Sequence, residues 1–157
     1  MRLAFSLPLL AALLLSAGTS YAQIGGSRGI SGLERSDTPR VLPADEAFPY
    51  FFAEASAGQL TLTWSPAGDH YLYRHRFAFE LSASDGTDAR SLDCSNPAGT
   101  HTEDEFFGAV EVYYDPVSVV VDLGSRPLDP NSVLTVRFQG CASWGFCYPP
   151  QTREIRL

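Results

Sequence analysis

Cys141 and Cys147 are the residues of this sequence best placed to do covalent chemistry. They lie in Gln139-Gly140-Cys141-Ala142-Ser143-Trp144-Gly145-Phe146-Cys147-Tyr148-Pro149-Pro150, at the end of an alternating strand pattern. A pair at this spacing can lie across a β-hairpin. Facing Cα atoms there are about 4.5–5.5 Å apart, and a disulfide takes about 4.4–6.8 Å. Gly145 allows the loop a positive φ, and Pro149-Pro150 should stop the returning strand from pairing further. The disulfide is then either a staple or a redox couple. As a staple it is modest, since closing a ring this small contributes about 2.4 kcal/mol in the chain-entropy model. Most exported disulfides are nevertheless structural, so both readings stand on the residues alone. Thiols on a strand of an acidic domain lack the helix N-terminus or neighbouring cation that makes cysteine acidic, so strongly acidic thiols are not expected.

The third cysteine, Cys94 in Leu92-Asp93-Cys94-Ser95, is the spare, expected as a partly buried free thiol packing as a small hydrophobe. A metal site would have to combine the cysteines with His70, His75 and His101. No close His/Cys spacing suggests zinc, and the only methionine is Met1. No metal and no cofactor is expected.

The start of the chain reads as an export signal over residues 1–22. Arg2 supplies the positive region, Leu3 to Ala17 is almost wholly apolar, and Ser20-Tyr21-Ala22 resembles a small-x-small cleavage site. Residues 23–40 are rich in Gly, Ser and Arg and read as a flexible leader. Residues 41–157 remain, enough for one domain with a real core. The formal net charge is -7, and all 11 basic residues are arginine. That acidity disfavours nucleic acid and anionic membranes as partners. No second long apolar run follows the signal, so direct membrane insertion of the mature chain is not expected.

The elements that must carry the cysteines have a period of two. Gln59 to Trp64 puts Leu60, Leu62 and Trp64 on one face. His70 to Phe79 reads as a strand region, with Tyr71 and Tyr73 sharing a face and Phe77 and Phe79 beyond. Val110 to Tyr114, Val117 to Leu123, Val133 to Gln139 and Thr152 to Leu157 complete the pattern. Turn signals separate them, among them Ser65 to Asp69, Ser84-Asp85-Gly86, Asp115-Pro116 and Pro127 to Asn131. No convincing amphipathic helix follows residue 22. Short strands at this spacing predict an all-β fold, an antiparallel β-sandwich.

Four segments carry a family resemblance. They are Leu42-Pro43-Ala44-Asp45-Glu46-Ala47-Phe48, Tyr71-Leu72-Tyr73-Arg74, Glu103-Asp104-Glu105-Phe106-Phe107-Gly108, and the cysteine hairpin with its Tyr148-Pro149-Pro150 exit. In this order they resemble the amino-terminal periplasmic domain of the thiol:disulfide interchange protein DsbD, over residues 41–157. The resemblance implies an immunoglobulin-like antiparallel β-sandwich, a periplasmic location and a thiol-disulfide oxidoreductase activity. Cys141 and Cys147 would relay two electrons from a thioredoxin-like donor to oxidised periplasmic thiol proteins, such as disulfide isomerases or cytochrome c maturation factors. Cys147 would form the mixed disulfide and Cys141 would resolve it. In DsbD the domain precedes a membrane domain and a thioredoxin-like domain. This sequence stops at Leu157, so the donor is expected on a separate chain or membrane reductase.

The same resemblance makes Asp104 to Gly108 a cap loop, with Phe106 covering the disulfide and Gly108 letting the loop swing. Unaided, the segment reads as an acidic turn with two exposed aromatics, against Phe106 and Phe107 as ordinary core residues, and Asp104 and Glu105 read as solvated acids or proton relays. The family usually carries a tyrosine at Phe107. Tyr71 and Tyr73 are candidates to line the site, against ordinary sheet packing. Trp144 stands where the family often has a small or polar residue. With Phe146 and Tyr148 it is a candidate docking surface for a partner, unless its indole buries itself and reshapes the loop. The alternative function is a disulfide-stapled extracytoplasmic binding module without redox turnover.

Overall fold

A computed structural model describes residues 39–157 apart from Ala57, Arg126, Pro127 and Pro130. The expected signal peptide (1–22) lies outside the described residues, as does the leader (23–40) but for its last two. Almost everything described is strand or turn, and every strand pair is antiparallel. Among the described residues, helix is confined to one turn, α1 (Ala44–Ala47), and a 3-10 turn, Arg74–Arg76.

The first sheet contains β1 (Tyr50–Ser56), β2 (Gln59–Trp64), β6 (Cys94–Ser95) and β9 (Val117–Asp122), in the order β1-β2-β9-β6. The second contains β4 (Ala78–Ser82), β5 (Arg90–Leu92), β10 (Val133–Phe138) and β13 (Gln151–Arg156), ordered β13-β10-β4-β5. The third holds β3 (His70–Tyr73), β7 (Thr100–Asp104), β8 (Gly108–Tyr113), β11 (Gly140–Ala142) and β12 (Phe146–Cys147), ordered β12-β11-β3-β8-β7. The alternation predicted for Gln59 to Trp64 buries Leu60, Leu62 and Trp64. Trp64 stacks on Tyr50 and meets Phe77 and Phe138 edge-on or tilted, joining strands of different sheets in one aromatic core. This is an immunoglobulin-like β-sandwich.

The structure corrects the sequence reading at three places. His70 to Phe79 is not one strand: the 3-10 turn at Arg74–Arg76 carries the chain from the third sheet to the second. Arg74 anchors that corner. Its guanidinium donates to the Pro97 and Asn96 carbonyls and to Glu111, and its own carbonyl accepts from Asn96. The run from Val133 into Cys141 breaks in the same way at Gln139, between β10 and β11. Here only glycine fits at Gly140, because a Cβ would sit 2.3 Å from the Tyr71 carbonyl oxygen and 2.7 Å from the Phe48 ring. Lastly, β1, β5, β6 and β7 have no counterpart in the sequence pattern: Tyr50-Phe51-Phe52-Ala53 does not alternate, with Phe51 and Phe52 both exposed, β5 and β6 are three and two residues long, and β7 is wholly polar.

A candidate dithiol-disulfide site on the outer face of the third sheet

Register decides which side chains meet. Cys147 faces Cys141 across β12 and β11, and Cys141 faces Tyr71 across β11 and β3. Residues directly opposite share a face, and so do residues two apart on one strand. Tyr73 therefore joins the same face. Val112 and Val110 on β8 follow, with Thr102 and Asp104 on β7. Leu72 and Tyr113, of opposite parity, point into the main core. Tyr73, Val112 and Cys141 thus form a second small core on the outer face, flanked by Tyr71, Val110 and Cys147.

Cys141 and Cys147 are joined by a disulfide, with Cα atoms 4.0 Å apart. The two sulfurs are not equivalent. Cys141 is fully buried, whereas Cys147 is partly exposed and lines an open cleft of about 410 Å³. Behind them the Tyr73 hydroxyl lies 3.1 Å from Cys141 Sγ and 3.9 Å from Cys147 Sγ. Its hydrogen is directed to Asp104 Oδ2 at 2.6 Å, where the Tyr71 hydroxyl also donates at 3.1 Å. The other carboxylate oxygen, Oδ1, accepts the backbone N–H groups of Phe106 and Phe107. One side chain therefore shapes the β7–β8 turn and holds both tyrosines.

The titration shifts follow. Burial first, then the Asp104 hydrogen bond, pushes the Tyr73 hydroxyl far above its ordinary value, and burial raises Tyr71 as well. Both stay protonated. Burial alone would raise Asp104, but its four hydrogen bonds outweigh that and lower it. Residues lining the cleft include Glu103, Asp104 and Glu105, and none of them is basic.

A family model described as thiol:disulfide interchange protein DsbD, N-terminal, matches residues 38–157. The chain belongs to the DsbD N-terminal domain family. The protein DsbD 1 of Pseudomonas aeruginosa is 37% identical over 149 residues, 95% of this chain and 24% of its own length. DsbD of Escherichia coli K12 is 36% identical over 116 residues, 74% of this chain and 19% of its own. The chain thus spans about a fifth to a quarter of these relatives. Among solved structures, the reduced DsbD N-terminal domain of Neisseria meningitidis superposes with a TM-score of 0.64 at 26% identity, covering 74% of this chain and 89% of that one. A complex between the DsbD and PilB N-terminal domains of the same organism gives 0.60 at 26% identity, covering 75% and 88%. Thiol-disulfide interchange is the chemistry these relatives are named for. No helix among the described residues is long and apolar enough to cross a membrane.

Within this DsbD N-terminal domain, Phe106 and Trp144 line the same cleft as Cys147, with Tyr71 and the three acids. Phe106 is 59% exposed. Phe107 is held by the rings of Tyr73 and His75 and lies under the Arg76 guanidinium, 5.4 Å from the ring centroid. Gly108 has a φ of 69° and pairs with Asp104 to close the hairpin. Phe146 is exposed and packs edge-on against Tyr148. Tyr148, grouped with the docking residues on sequence, is a correction: it is 4% exposed and packs in the main core against Phe48. The Tyr148 hydroxyl donates to the Leu42 carbonyl.

Cys94 is unpaired and exposed rather than partly buried, on edge strand β6 of the first sheet. Although the residue is exposed overall, partial desolvation against the sheet edge and then Asp93 raise the thiol pKa. The histidines named for a metal are dispersed: His70 faces the core, His75 lies on Phe107 and His101 is exposed on β7. Two site features were missed on sequence. Asp104 starts an Asx turn closed by Gly108, a signal readable in Asp-Glu-Phe-Phe-Gly. His70 gave no such signal.

Proposed function

We propose that this domain is a two-electron relay of the bacterial periplasm. Cys141 and Cys147 exchange their disulfide with thiol proteins, taking electrons from a thioredoxin-like donor and passing them to oxidised disulfide isomerases or cytochrome c maturation proteins. The asymmetric burial of the two sulfurs carries this reading. A donor thiolate entering the cleft meets Cys147 Sγ first. The bond from donor sulfur to Cys147 forms as the Cys141–Cys147 bond breaks, and the electron pair leaves on Cys141.

That sulfur departs beside the Tyr73 hydroxyl, which stays protonated and can turn its hydrogen from Asp104 to the developing thiolate. The donor's second thiolate then attacks its own sulfur in the mixed disulfide and releases Cys147. Two donor thiols become one disulfide, and Cys141 and Cys147 become two thiols. The protons lost by the donor balance those gained here. Delivery to an acceptor is the reverse sequence, with Cys147 attacking the acceptor disulfide and Cys141 resolving the intermediate.

Phe106 serves as the shield of this reaction. Its ring forms one wall of the cleft and narrows access for small thiols until a partner displaces it. The solved complex of a related domain with PilB is support for docking of a protein partner on this fold. The loop acids add charge without a cation, so partner choice does not rest on an activated thiolate. Export through the residues 1–22 signal would place this chemistry in the periplasm, ahead of a 23–40 leader and the 41–157 domain.

The test is a trap. With Cys141→Ala, Cys147 has no resolving partner on this chain, so a purified thioredoxin-like donor with its second cysteine replaced by alanine and its first activated as a mixed disulfide should remain covalently attached to it. Cys147→Ala should give no adduct through the buried Cys141. Equal adduct yields from the two variants would refute the assignment. If the wild-type disulfide were inert to dithiothreitol and to reduced donor alike, the stapled binding module would be the correct reading.

A further inference from the structure

Trp144 occupies the tip between β11 and β12. On one side its indole lines the cleft with Cys147. On the other it meets the imidazole of His70, with ring centroids 5.0 Å apart and planes at 86°. His70 stands opposite Ala142 in the β3–β11 register and is only 2% exposed. Its ring is clamped from three sides. Nδ1 lies 2.8 Å from the Gly68 carbonyl, which can only accept, so Nδ1 carries a hydrogen. Nε2 lies 3.2 Å from the oxygen of the Tyr148 hydroxyl, whose hydrogen is directed to the Leu42 carbonyl, and Phe48 packs edge-on at 5.8 Å.

A polar ring buried among Phe48, Tyr148 and the main core carries a desolvation cost that an apolar ring would not. What it secures is orientation. The Nδ1–H bond to the Gly68 carbonyl and the packing of Phe48 and Tyr148 fix the imidazole plane, and the indole rests edge-on against that plane at an exposed tip. Trp144 remains 37% exposed. An aromatic side chain already immobilised at a protein surface binds with less ordering cost than a mobile one, which is the property of an interface anchor. Around it, Phe106 and Phe146 add apolar surface, and Glu103, Asp104 and Glu105 add negative charge unrelieved by any basic residue in the cleft lining.

We propose that Trp144 is a specificity-determining residue at the mouth of the disulfide and that buried His70 is the positioning residue that holds it. The surface is built for a protein whose reactive cysteine sits in an apolar patch flanked by basic side chains. The indole covers the apolar patch, and the three carboxylates complement the basic flank and repel acidic surfaces. His70 acts only through Trp144. This inference rests on Cys141–Cys147 being the exchange pair.

The test uses two synthetic single-cysteine peptides as reductants of the oxidised domain, one with leucine and arginine flanking the cysteine and one with serine and glutamate. In each reaction two peptide thiols become a peptide disulfide as the Cys141–Cys147 bond becomes two thiols. Each rate is divided by the rate with dithiothreitol, so general loss of reactivity cancels. In the wild type, the Leu/Arg peptide should be favoured over the Ser/Glu peptide by about tenfold or more at low salt, and less so at high salt. Trp144→Ala should lower the normalised Leu/Arg rate about tenfold, and Trp144→Phe should restore part of it. His70→Ala should produce the same loss, and the double variant should be no worse than either single one, because coupled residues are not additive.

His70→Phe, which fills the same space, covers the case in which His70→Ala does not fold. It should lose selectivity as well, because its ring has no hydrogen bond to fix its plane. Additive losses, or full selectivity in His70→Phe, would overturn the positioning role. Equal normalised rates for both peptides in the wild type would overturn the selectivity. A disulfide that dithiothreitol and both peptides leave intact would instead refute the exchange function beneath it.

Discussion

Asp104→Asn isolates the side chain on which the site's geometry converges. In the wild type, Oδ2 accepts the hydroxyls of Tyr73 at 2.6 Å and Tyr71 at 3.1 Å, while Oδ1 accepts two backbone N–H groups. An amide has one carbonyl oxygen, so it can serve the turn or the tyrosines but not both, and its NH₂ cannot accept from a hydroxyl. Hydrogen bonds to a charged group contribute about 1.5–3 kcal/mol each. The two tyrosines share one carboxylate that is partly open to water, so the loss should be discounted to about 2 kcal/mol in all. For a domain of this size that is roughly 6–10 °C in Tm. The pH dependence gives the sharper check. The folded pKa of Asp104 is depressed, so its contribution is fully present above the unfolded value and is lost as pH falls through the folded one. Urea unfolding of both proteins should therefore show a constant gap from pH 7 to about pH 5, narrowing below about pH 4. A gap that persists unchanged at pH 2.5, or no gap at pH 7, would refute the charge-centred account.

Three further outcomes follow from the geometry. Phe106→Ala should accelerate reduction of the oxidised protein by dithiothreitol about three- to tenfold if the ring limits access to the cleft, and stopped-flow detection of an unchanged rate would remove the shield. Reducing the disulfide, or replacing both cysteines by alanine, should lower stability by only about 2.4 kcal/mol and leave a cooperative urea transition, whereas loss of folding would return the pair to a structural role. Gly140→Ala should be severely destabilising, about 3 kcal/mol or more, because the added methyl meets the Tyr71 carbonyl and the Phe48 ring; a Tm within 2 °C of wild type, read by circular dichroism, would contradict the packing at that corner.

Much of this architecture is written in local pattern. Leu60, Leu62 and Trp64 face the core because strands alternate, and Cys141 opposes Cys147 because a short glycine-containing loop returns the chain in register. Tyr71 and Tyr73 share a face for the same reason, with ring centroids 5.4 Å apart. What escaped were the places where an unbroken strand pattern leaves one sheet for another, at Arg74–Arg76 and at Gln139. A period of two continues through Tyr73, His75 and Phe77, yet the Arg74 guanidinium bonds to the distant Asn96–Pro97 segment and to Glu111, turning the backbone at that point. Tyr148 follows an exposed aromatic and a cysteine, and nothing local says that its ring turns inward onto Phe48.

By itself the sequence determined the period of the strands, the turns between them, and the pairing of two cysteines. All of these depend on residues a few positions apart. Tertiary structure decided which cysteine is open to a partner and which carboxylate meets the tyrosines. It also decided that His70, named on sequence only as a metal ligand to be discounted, stands behind Trp144. Those relations join positions as far apart as Leu42, His70, Asp104 and Tyr148. They arise from sheet register and from core packing that closes on all of these segments at once, and no local pattern encodes either.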